Sequence, residues 1–130
     1  MINHCKFTGD NLTYRKSSLL ASIAMRLDDI DEHTHRFAAK LAEDPLATMR
    51  EDGETTIRYN VERRALTAMR DTIAISPGLS ASELNSKLAD LLQGELLNVT
   101  TRGHSSNPVS NMIAREEAHV IGGILRAYAA

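Results

Sequence analysis

Tryptophan is absent from this chain of 130 residues, which has only two Phe and three Tyr. Few broad, flat side chains are therefore available to stack on bases, and a core must be built from Leu, Ile, Ala and Met, a composition that suits packed helices. A single cysteine, Cys5, excludes an intramolecular disulfide, and no charged-then-apolar leader precedes it, so a reducing cytoplasm is the expected setting. No apolar run approaches the roughly 20 residues that span a bilayer, and no membrane role is expected. Neither sign of charge dominates: 15 Lys and Arg face 17 Asp and Glu, a net of -2, so there is no global basic field and no acidic tail. The phosphate-cradling loops G-x-x-x-x-G-K-[ST] and G-x-G-x-x-G are missing, as is the G-x-S-x-G elbow. The two N-x-T sequences, Asn11-Leu12-Thr13 and Asn98-Val99-Thr100, read as chance matches.

What is present is helical periodicity. With 42% hydrophobic residues the chain is long enough to bury a core as a single domain over residues 1–130, with residues 1–9 as a flexible lead-in. Leu20, Ile23, Leu27, Ile30, Thr34, Phe37 and Leu41 step by three and four, the heptad seam of a long helix. That helix starts as early as Asp10 and ends before Pro45, whose ring disfavours helical geometry at Asp44. A seam of this kind is stable only when covered, and its cover can come from the same chain or from another.

Beyond Pro45, Leu46 and Met49 fit a short helical turn that Asp52-Gly53 would break. Ile57, Tyr59 and Val61 alternate like a strand, but the helix-forming run from Glu62 to Arg70 favours a helix from about Thr55 to Ile75. Pro77-Gly78 ends it. Ser80 and Glu83 form an S-x-x-E capping box, with Leu79 and Leu84 placed as a hydrophobic staple, so a helix begins at Ala81. Its face is Leu84, Leu88, Leu91, Leu92 and Leu96, and Gly94 ends or weakens it. The polar stretch from Asn98 to Asn107 reads as a loop, and Asn107-Pro108 as the cap and first turn of a final helix. Ala114, Ala118 and Gly122 add a small-residue strip at four-residue spacing, where another helix could approach closely.

Chemical motifs are sparse. Two E-x-x-H pairs, Glu32 with His35 and Glu116 with His119, resemble the pairs of carboxylate-bridged metal bundles, but Glu32 lies about 200° around the helix from Ile30 and so faces away from the core. The remaining histidines, His4 beside Cys5 and His33 with His35, do not complete a zinc-type ligand set. His104-Ser105-Ser106 lacks a third group to position a nucleophile. Arg58, Arg63, Arg64 and Arg70 form a basic cluster with Glu51, Glu62 and Asp71 at hand to neutralise it. Segment 62–76 and the helices from Ala81 and Pro108 can also be arranged as a helix-turn-helix variant. Ser110, Asn111 and Arg115 would then read DNA, while Arg102 and His104 met phosphates. The long connection and Glu116-Glu117 count against that arrangement.

The expected fold is all-α: a helical bundle with a long N-terminal helix and a capped helical pair in the C-terminal half. The expected function is a non-enzymatic interaction or regulatory protein that binds a protein partner and self-associates, with no metal and no cofactor. The seam, Leu20 through Leu41, and the strip Ala114, Ala118 and Gly122 are its candidate interfaces. A DNA-binding regulator is the alternative, and a metal-dependent bundle enzyme the outside case.

Overall fold

The computed structural model describes residues 12–102 and 106–129, and among them every regular element is a helix. Helix α1 runs Leu12–Glu43, α2 Pro45–Ala74, α3 Ala81–Arg102 and α4 Pro108–Ile124, the last continued by a π turn over Leu125–Ala129. The fold is the expected all-α bundle with a long first helix. At about 1.5 Å per residue, α1 and α2 each extend more than about 40 Å. The expected flexible lead-in, residues 1–9, lies outside the described residues.

Local chemistry sets the starts. At α2 the Asp44 carboxylate accepts from the Ala47 N–H at 3.3 Å, with Pro45 as the first residue. At α3 the capping box closes both ways: Ser80 Oγ accepts from the Glu83 N–H, and Glu83 Oε1 accepts from the Ser80 N–H, each at 3.2 Å. The Ser80 N–H, with the Ser80 hydroxyl, also holds the Glu83 carboxyl below its ordinary range. At α4 Asn107 Oδ1 accepts from the N–H groups of Val109 at 2.9 Å and Ser110 at 3.3 Å.

Two expectations fail, both at glycine or polar residues whose local spelling suggests a break. Residues 45–53 are not a separate turn, because α2 is continuous through Asp52-Gly53. Gly53 takes no left-handed conformation; it is buried, and a Cβ there would sit 3.3 Å from Met49 Cε, so the Met49 side chain covers the bare turn. The stretch from Asn98 is likewise helical to Arg102, through Gly94. Val99 is fully buried, and the Thr100 and Thr101 hydroxyls donate back to the Leu97 carbonyl at 2.9 Å, so tertiary cover overrides weak local propensity. At residues 57–61 the helix, not the strand, is found.

The helices form two antiparallel hairpins. Arg26 meets Glu62, His33 meets Thr56 and Lys40 meets Asp52 along α1 and α2. In the second, α3 lies along α4, with Leu92 and Ile121 lining one cavity. Helix α2 packs against all three others. The core between the hairpins is Leu19, Ile23 and Ile30 of α1, Leu66, Met69 and Ile73 of α2, Leu84, Leu88, Leu92 and Val99 of α3, then Ile121 and Tyr128, each 2% exposed or less.

Candidate functional site

The seam divides at Thr34. Ile23 and Ile30 have no exposed surface, and Leu20 and Leu27 pack against the core, so this half is covered within the chain. Leu19, one position off the seam, is also buried, which places the centre of the inward face slightly to one side of a strict heptad. The Thr34 hydroxyl donates to the Ile30 carbonyl at 2.9 Å and accepts from Arg63 Nη2 at 3.1 Å, and Arg63 also pairs with Asp31. Beyond Thr34, Phe37 and Leu41 are only half-buried. Next to this stretch of α1, across the Asp44 turn, Leu46 is 70% exposed and Met49 51%. The far end of the α1/α2 hairpin therefore carries apolar side chains that the described chain does not cover.

Polar contacts fasten the two helices to each other. Arg26 binds Glu62 through Nε at 2.5 Å and Nη2 at 2.8 Å, and its guanidinium lies 5.1 Å from the centre of the Tyr59 ring. The Glu62 hydrogen bond, against the cost of partial burial, raises the Arg26 pKa further above its ordinary value. His33 stands edge-on to Tyr59 with ring centres 4.4 Å apart, and its Nε2 is 3.1 Å from Thr56 Oγ1. The basic cluster on α2 is neutralised locally. Arg58 binds Glu54 at 2.8 Å and Glu116 at 2.5 Å, Arg63 binds Asp31 at 2.6 Å, Arg64 binds Glu117 at 2.6 Å, and Arg70 lies 3.5 Å from Asp71. Arg58 holds the Glu116 carboxyl below its ordinary range, with a smaller contribution from the charge of His119. In the E-x-x-H pairs, Glu32 is taken up by Arg36 at 3.0 Å and Glu116 by Arg58.

On α4 the structure separates the remaining candidates. Ser110 and Arg115 are exposed and Asn111 is half-buried, all near the capped start. His104 and the Arg102 side chain lie outside the described residues. Ala114 is buried in the core and Ala118 packs against it, whereas Gly122 is half-buried. The nearest heavy atom to a Cβ placed on Gly122 is Arg126 Nη1 at 3.5 Å, so no second helix backbone fills the strip there.

A groove centred on Arg64 had no counterpart among the sequence expectations. A cavity of about 260 Å³ lies between α2, α3 and α4, walled by Val61, Ala65, Leu91 and Ile121 with Arg64 and Glu95 at its edge. A second, of about 280 Å³, opens on the other side of Arg64 beside Ile57, Ile113 and Glu117. The Glu117 side chain is 9% exposed, and that of its partner Arg64 60%. A signal for it was in the sequence: Ile113, Glu117, Ile121 and Ile124 keep one apolar register, and the carboxylate interrupts it. The pair orients a guanidinium at the surface but brings no nucleophile beside a base. No group of three or more His, Cys, Asp or Glu that could hold a metal ion occurs among the described residues, and no described helix is long and apolar enough to cross a membrane.

No protein-family model, no curated protein and no solved structure matches the chain.

Proposed function

We propose that the chain is a non-enzymatic interaction or regulatory protein of a reducing cytoplasm, and that it binds a protein partner, a second copy of itself included, through the far end of the α1/α2 hairpin. The observation that carries this reading is the exposure of Leu46 and Met49, 70% and 51%, beside the half-buried seam residues Phe37 and Leu41. Large apolar side chains grouped on a projecting end are a surface that association would remove from water, at about 25 cal/mol per Å².

Light scattering across a concentration series tests it. The wild type is expected to gain mass with concentration. A Leu46→Asp/Met49→Lys variant should stay at the monomer mass while melting close to the wild type, because Leu46 is exposed and the alkyl stem of a lysine keeps the cover over Gly53. Ile30→Asp should instead unfold the chain, since that position has no exposed surface. A wild type that is strictly monomeric, and that retains no protein lost by the double variant, would defeat the reading.

A further inference from the structure

Arginines are used differently on the two sides of the molecule. On α1 and α2, Arg26, Arg36, Arg58, Arg63, Arg64 and Arg70 each have a carboxylate partner, and Arg50 alone among the described ones has none. On α4 and its π turn, Arg115 and Arg126 are both exposed and neither has an ion pair among the described residues. At 100° per residue, Arg115, His119, Gly122 and Arg126 fall within a sector about 60° wide. The Arg126 guanidinium lying over Gly122 shows the same alignment directly. No acid occupies that sector. The nearest along the helix, Glu116, is about 100° away from Arg115 and is bound by Arg58.

Gly122 and Gly123 bear on how Arg126 is held. Two glycines inside a helix cost about 1 kcal/mol each relative to alanine. Among the described residues only the Arg126 side chain comes within 4 Å of either added Cβ. With no side chain at Gly122, the Arg126 guanidinium lies against the helix on the face it shares with Arg115.

We propose that this outward face of α4 binds the phosphate backbone of duplex nucleic acid, with Arg115 and Arg126 as the phosphate donors. The chemistry favours this over an acidic protein, because the sector has no large exposed apolar anchor of the kind that dominates protein interfaces. Guanidinium groups, by contrast, pair with phosphate oxygens two bonds at a time. Eleven residues of helix separate the two arginines by about 16 Å, and the major groove is about 12 Å wide. A helix laid across it would bring the two side chains to opposite backbones. Ser110, Asn111 and Arg115, the base readers expected from sequence, are not needed as a set: only Arg115 is retained, as a phosphate contact.

Fluorescence anisotropy of a labelled 20-base-pair duplex with the full chain tests this. Binding should be indifferent to base sequence and should weaken with salt with a log–log slope of about -2, for two phosphates neutralised. Arg115→Glu/Arg126→Glu should lower affinity at least tenfold with an unchanged helical spectrum and melting temperature, whereas Arg50→Glu should leave it unchanged. Absence of binding at about 20 mM salt, equal loss in the Arg50 variant, or equal affinity for polyglutamate would overturn the proposal.

Discussion

The two hairpins are held together by different means. Between α3 and α4 the described core is a ladder of apolar side chains, Leu84, Leu88, Leu92 and Val99 against Ala114, Ile121, Ile124 and Tyr128. Between α1 and α2 a row of polar links, Arg26–Glu62, Asp31–Arg63, His33–Thr56 and Lys40–Asp52, runs beside the apolar contacts and continues past the last fully buried residue of α1, Ile30. Apolar burial is non-directional and strong, whereas ion pairs fix register at small net gain. The second hairpin is thus built for stability, and the end of the first for alignment with its surface left available.

That contrast can be broken from the apolar side first. Leu88→Ala should destabilise by about 2–5 kcal/mol in urea or thermal unfolding, because the side chain is fully buried and leaves a cavity. A loss under about 1 kcal/mol would mean the ladder is not the main support. On the polar side, Arg26→Ala should cost about 1–2 kcal/mol, since one partner is half-buried and the Tyr59 ring contact goes as well. Part of that loss should already be present in wild type at 1 M salt, where exposed charge is screened.

Gly94→Ala sharpens the comparison by adding stability, about 1 kcal/mol at most: the site is exposed, mid-helix, and has nothing within 4 Å of the new methyl group. Any loss there would show that α3 needs its glycine. The smallest effect is that of acid. Glu116 titrates below its ordinary value of 4.5 in the folded chain, so its pairing with Arg58 contributes stability above that value and loses it as pH falls through the depressed one. Glu116→Gln should therefore flatten the stability profile below about pH 4.5, and an unchanged acid limb would dismiss the pair.

Legibility followed the range of the cause. The Ser80–Glu83 box and the Asn107 cap are closed by residues within three positions, so their spelling suffices. Gly53 and the run Asn98–Arg102 read as breaks because each is weak locally and is supported by contacts outside that local spelling, Met49 over Gly53 and burial of Val99 in the core, while α3 runs through exposed Gly94 without any such cover. The seam was legible as a seam but not its cover, since which half is buried depends on where the core of the second hairpin lies. The Arg64–Glu117 pair joins residues 53 positions apart, and only the carboxylate in an apolar register announced one of them.

One residue, Asp44, joins α1 to α2. In kinetic terms this means that almost no loop has to be closed before the first pair of long helices can meet. The second pair is also a sequence neighbour, joined over residues 103–107. Most contacts of the molecule are accordingly short in sequence, the low contact order of chains that fold in microseconds to milliseconds. The expected late step is the meeting of the two hairpins along α2 and α4, so substitutions at the Arg58–Glu116 and Arg64–Glu117 crossings should change the unfolding rate more than the folding rate in stopped-flow measurements.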